Sequence, residues 1–157
     1  MEQYLKTFKQ LIQPLGTQNV VIGGTIALKA HGLIMSREAT DLDLIIFNPT
    51  EKQKAYIESM KFFEIENRNI PQHVYQKSFK FKKANLTIDI LIQESEVPQG
   101  LLYAEFEGTF YKVQSIKNTI DAKRSYCLYG SIGGNVKYIR EKDVKDFEDL
   151  KSSNFNL

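Results

Sequence analysis

Three carboxylates in this chain have the spacing of a cation-handling site. Asp41 and Asp43 flank Leu42 at the start of an apolar run, and Asp89 sits in a second such run between Ile88 and Ile90. Residues two apart in a strand share a face, so Asp41 and Asp43 can converge on one point. In the second run Leu86, Ile88, Ile90 and Ile92 point one way, and Thr87, Asp89 and Leu91 the other. If the two strands are neighbours, three acids gather on one side of a sheet. Such a cluster repels itself and calls for a hard divalent cation, usually Mg²⁺ where phosphates are handled. The competing reading leaves Asp41 bounding a turn, Asp43 exposed and Asp89 in a local salt bridge.

Upstream, Gly23 and Gly24 lie between a β-prone run and a helical one. Glycines there let the backbone approach a ligand, and a helix start presents N–H groups to an anion. Thr25 adds a hydroxyl at the same place. A Gly-Gly pair alone is often a plain turn, but this one precedes a helix that leads to the Asp41–Asp43 segment. Arg37, four residues before Asp41, could contact a triphosphate or acceptor bidentately or pair with a nearby acid. His31, beside Gly32, reads as a packed or capping residue rather than a base.

These residues need elements to carry them. Leu5, Phe8, Leu11, Ile12 and Leu15 follow helical spacing up to Gly16. The order then runs: strand at 19–22, helix at 25–31, strand at 42–47, and helix at 51–60 capped by Thr50. Strands follow at 62–65, 78–82 and 86–92, with a further strand or hairpin arm at 105–113. Helices are expected at 115–126, capped by Ser115, and at 141–152, separated by the glycine-containing stretch 127–135. The pattern predicts an α+β (α/β) domain with a mixed central sheet, helices on one side and a helical C-terminal end. One domain over 1–157 is expected, with a core at about 17–114 and a C-terminal helical part at about 115–157.

The run from Val20 through Gly23-Gly24-Thr25 to Gly32, followed by Arg37 to Leu44 with Asp41 and Asp43, resembles the nucleotidyltransferase superfamily of the DNA polymerase beta type. It is similar to the small bacterial branch that includes toxin-type nucleotidyltransferases of abortive-infection systems. Asp89, in Leu-Thr-Ile-Asp-Ile-Leu, fits that family's third acid. The resemblance covers roughly residues 18–92. It implies Mg²⁺- or Mn²⁺-dependent transfer of a nucleoside monophosphate from a nucleoside triphosphate (ATP or another) to a hydroxyl acceptor, with pyrophosphate leaving. It implies two metal ions: Asp41 and Asp43 would bind both, and Asp89 would bind one and help deprotonate the acceptor. Gly23, Gly24 and Thr25 would hold phosphates. Lys123 would bind triphosphate, with Asp143 and Asp146 orienting it or the acceptor; the competing reading is exposed charge on amphipathic helices. The acceptor could be RNA, a protein or a small molecule, and a toxin of this chemistry would have an antitoxin partner. The alternative is a catalytically silent nucleotide-binding or interaction module of the same fold.

Composition agrees with a folded domain and excludes several classes. The 157 residues carry 21 Lys plus Arg against 19 Asp plus Glu, a net charge of +2, and 42% are hydrophobic. That is neither a disordered nor a collagen-like chain. Cys127 is the single cysteine, so neither an intrachain disulfide nor a cysteine-based metal site is available. His31 and His73 are too few for a histidine cage. No stretch approaches the roughly 20 apolar residues of a membrane span, and residues 1–15 do not read as a signal peptide. A cytoplasmic location is the expectation. Lys77, Lys80, Lys82 and Lys83 interleave with Phe79 and Phe81. That strand reads either as a surface for single-stranded nucleic acid or as a solvated face with its phenylalanines in the core.

Overall fold

The computed structural model describes residues 2–32, 41–60, 63–65, 77–83, 86–121, 145 and 148–149. Helix α1 (Glu2–Ile12) runs into a 3-10 turn (Gln13–Leu15), β1 (Val20–Gly23) and α2 (Gly24–Ala30). Strand β2 (Asp41–Phe47), α3 (Glu51–Ser59), β3 (Phe63–Ile65), β4 (Lys77–Lys83), β5 (Leu86–Gln93), β6 (Leu102–Phe106) and β7 (Thr109–Val113) follow. Residues 116–121 are helical. The amide of Asn118 donates to Ser115 Oγ at 3.1 Å, the cap expected for that helix. Residues 145, 148 and 149, within the helix expected at 141–152, are helical; the rest of the expected elements beyond 121 and the sites at Arg37, Lys123, Asp143 and Asp146 lie outside the described residues.

The strands form one seven-stranded sheet in the order β3-β4-β5-β2-β1-β7-β6. Strand β2 is parallel to β5 and antiparallel to β1, and β1 is parallel to β7. This is the mixed α+β sheet anticipated above. The arm expected at 105–113 is a full hairpin beginning at Leu102. Its two-residue turn is Glu107-Gly108, with φ 50° and 84°. Two central residues with positive φ give the turn whose twist matches the flanking strands.

Alternation decides the faces. Leu42, Leu44 and Ile46 of β2 and Ile88, Ile90 and Ile92 of β5 are buried on one face. There they meet Phe8 and Ile12 of α1, Ile26 of α2 and Ile57 of α3. Helices α1, α2 and α3 thus cover one side. Phe79 and Phe81 of β4 pack against this cluster, so Lys80 and Lys82, both exposed, belong to the opposite face. That opposite face holds a smaller cluster, Val21, Ile45, Phe47 and Leu91, covered by Val97 and Leu101. Beyond Ile45 toward the start of β2 this face turns acidic.

Candidate active site

The register places the acids next to one another. Asp43 pairs with Asp89 across the parallel β2–β5 ladder and with Gly23 across the antiparallel β1–β2 ladder. Strand β4 pairs Lys80 with Asp89. One row therefore crosses four strands: Lys80, Asp89, Asp43, Gly23. Asp41 stands two residues along β2 from Asp43, in a row with Thr87 and Lys82. All three acids lie opposite the large core, and each is half-buried. Adjacent strands are about 4.8 Å apart, so the backbones of Asp43 and Asp89 are direct neighbours.

Gly24 faces Asp43 at a distance no side chain would allow. A Cβ there would lie 2.0 Å from Asp43 Oδ2, and the residue has φ 64°, the left-handed region. The carboxylate of Asp43 thus rests against the start of α2. Gly23 closes the same bend, where a Cβ would come within 3.0 Å of Gln114 Oε1. Thr25, the residue after Gly24, is buried at 5% exposure.

Lys80 Nζ is 3.7 Å from Asp89 Oδ1, with side-chain exposures of 46% and 27%. At that length and exposure the pair is a weak, water-screened one. Among the described residues no three His, Cys, Asp or Glu side chains are drawn together as a ready-made metal cluster. Instead Asp43 leans on Gly24, and Asp89 has Lys80 beside it.

Sequence reasoning missed the support behind the glycine bend. Gln114 follows β7 and donates its amide to the Ile22 carbonyl at 2.8 Å. His31 Nε2 donates to the Gln114 carbonyl at 2.8 Å, which confirms His31 as a packed residue at the end of α2. Thr119, 1% exposed, donates to Gln114 Oε1 at 3.1 Å. Nothing in the local pattern marks Gln114; only the β1–β7 pairing brings it to Gly23.

No family model and no curated protein matches the chain by sequence. Solved structures do match by shape. JHP933 of Helicobacter pylori has a TM-score of 0.52 at 20% identity over 99% of this chain and 70% of its own. The antibiotic-resistance factor ANT(2'')-Ia has a TM-score of 0.56 at 16% identity over 98% of this chain and 84% of its own. A second ANT(2'')-Ia structure, in complex with adenylyl-2''-tobramycin, gives 0.53 at 18% identity over 97% and 92%. TM1012 of Thermotoga maritima, named as a candidate nucleotidyltransferase, gives 0.55 at 14% identity over 97% and 92%. At these identities the likeness is one of fold, and the fold of this chain is that of the nucleotidyltransferases.

Proposed function

We propose that this protein is a metal-dependent nucleotidyltransferase that moves a nucleoside monophosphate from a nucleoside triphosphate to a hydroxyl acceptor. The observation that carries the reading is the row Gly23, Asp43, Asp89, with Gly24 pressed against the Asp43 carboxylate. A glycine bend and two acids from adjoining strands meet across the three central strands of the sheet. The fold shared with ANT(2'')-Ia supports it.

The donor set suits Mg²⁺ or Mn²⁺. Asp41, Asp43 and Asp89 offer hard carboxylate oxygens on one face, and the sole cysteine lies far along the chain. When bound there, such an ion would supply charge stabilisation for the pentavalent phosphorus and the departing pyrophosphate. The chain's own residues do the rest. Gly23 and Gly24, with no side chains of their own, let the bend bring the triphosphate up beside the Asp43 carboxylate. Thr25, next in the chain at the start of α2, is assigned with them to holding the phosphates. Arg37 and Lys123 are assigned to the triphosphate by the family resemblance. The acceptor oxygen attacks the α-phosphorus as the bond to the β-phosphate bridging oxygen breaks, and pyrophosphate leaves with that electron pair. Asp89 accepts the acceptor's proton.

The test is incorporation of α-labelled nucleotide with Mg²⁺ or Mn²⁺ by wild type and by Asp43→Asn. Removing one of the acids is expected to lower the rate by about 10³-fold or more. Equal incorporation by the variant overturns the reading. Nucleotide binding by calorimetry without transfer to any acceptor would instead identify a silent nucleotide-binding module. The toxin-type role turns on the acceptor: growth arrest on expression that needs Asp43, and is relieved by an antitoxin, would establish it.

A further inference from the structure

The four-strand row has a direction. Gly23, at the start of the bend, is at one end and Lys80 at the other, with Asp43 and Asp89 between them. Three strand spacings separate the ends, about 14 Å. If the nucleotide lies on the glycine end, the acceptor must approach from the far side of Asp89. That side is β4, and what it presents on this face is cationic. Lys80 stands level with Asp89, and Lys82 stands one row along, level with Thr87. Both are exposed, because Phe79 and Phe81 take the core face.

Resting on the transferase reading above, we propose that Lys80 and Lys82 form an anion subsite on the acceptor side, and that the acceptor is a phosphate-bearing hydroxyl compound. Two ammonium groups beside the third acid attract phosphate and repel a cation. A polycationic aminosugar, the acceptor class in the tobramycin complex of ANT(2'')-Ia, meets the wrong sign of charge along β4. The Lys80–Asp89 pair keeps the ammonium at the site edge, where an incoming phosphate can exchange for the carboxylate. Lys82 makes the assignment separable from Asp89, since it sits in the neighbouring row. The shared chemistry is a phosphate next to a free hydroxyl, and either a nucleic-acid strand or a free nucleotide supplies it.

The full chain is assayed for labelled-nucleotide transfer to a single-stranded RNA oligonucleotide, to a nucleoside monophosphate and to tobramycin. Binding of the fluorescent oligonucleotide and monophosphate is followed by anisotropy. Wild type is expected to modify a phosphate-bearing acceptor and not tobramycin, and the preferred phosphate source separates strand from free nucleotide. Lys80→Gln and Lys82→Gln are each expected to raise the acceptor KM about three- to tenfold while leaving the triphosphate KM unchanged. Lys80→Arg and Lys82→Arg should restore it. For a strand, each lost lysine should also flatten the dependence of log binding constant on log salt by about 0.7. Preference for tobramycin overturns the inference, as does binding in the double variant equal to wild type. A shift of the triphosphate KM in place of the acceptor KM does so too. Absence of triphosphate binding and transfer in wild type, with lysine-dependent oligonucleotide binding retained, sinks the transferase reading and leaves the anion subsite standing.

Discussion

Gly24 combines two constraints that are separable by mutation. Its φ of 64° costs any L-residue about 1–2 kcal/mol. Its missing side chain also leaves room for Asp43 Oδ2, which a Cβ would approach to 2.0 Å. Gly32 shares only the first constraint, with φ 85° and nothing within 4 Å of a Cβ. Both Gly24→Ala and Gly32→Ala are therefore expected to lower stability in a urea melt, Gly24→Ala by more because its Cβ must also displace Asp43. Only Gly24→Ala should push the Asp43 carboxylate out of place, and a displacement on the ångström scale costs about 100-fold in rate. Equal rates for the two variants would show that Gly24 serves the turn alone. Residue types explain how much of the site was readable. Asp41 and Asp43 share a face because period two is a property of any extended backbone, and the isoleucine row of β5 assigns Asp89 to the other face. Lys80 and Gln114 were not readable as neighbours of the site. Their places come from cross-strand registers, and a register is decided by pairing between segments far apart in the chain.

At the level of elements, a buried glutamine ties three pieces together. Gln53 is 6% exposed, although it sits in the polar-looking helix α3. Its Nε2 donates to the Leu15 carbonyl at 2.8 Å and to Asn19 Oδ1 at 2.7 Å. Its Oε1 accepts from Thr50 N and from Asn19 Nδ2, both at 2.9 Å. Thr50 Oγ1 in turn accepts from Gln53 N at 3.1 Å, completing a capping box. The cap at Thr50 was readable from the sequence, because a threonine before a helical run has that role. The third partner was not, since a capping-box Gln is ordinarily half in solvent and here the 3-10 turn lies over it. Thr50→Ala is expected to cost about 1 kcal/mol, the usual value of a cap. Gln53→Leu keeps the volume but leaves the Leu15 carbonyl, Asn19 and the Thr50 amide short of partners, so it should cost about 2–4 kcal/mol. The double variant should lose less than the sum, because both changes break the same box. Urea midpoints of the four proteins would measure this, and strict additivity would mean that the box is not formed in solution.

On the scale of the whole molecule, the sheet separates two tasks. The face covered by α1, α2 and α3 carries the larger cluster. The other face carries a smaller cluster under Val97 and Leu101 and, past Ile45, the acids and lysines of the candidate site. Polar groups thus crowd one part of one face, where solvent and ligands reach them, while stability comes mainly from the other. Two tyrosines mark the stabilising side. Tyr111 is 1% exposed and meets Phe106 edge-on, with ring centroids 6.1 Å apart at 82°. Tyr56 packs against the same cluster and donates its hydroxyl to the Leu11 carbonyl, joining α3 to α1. Burial raises both phenols above their ordinary value of 10.0, because a phenolate there would lose its hydration. A group whose folded pKa is raised contributes stability that is complete below its unfolded value and is lost as pH climbs through the folded one. The fold should therefore hold constant stability with respect to these two groups up to about pH 10 and weaken above it. Tyr56→Phe should lose the bond to Leu11, about 1 kcal/mol at neutral pH, yet decline less steeply than wild type between about pH 9 and about pH 11, a span of about one unit on each side of the ordinary phenol value. Urea midpoints across that range, read beside the 295 nm phenolate absorbance, decide the matter. If the phenolate signal of wild type is complete before any loss of stability, the two tyrosines are not held neutral by the fold. If instead the last part of that signal rises only together with unfolding, it is the fold that holds Tyr56 and Tyr111 neutral.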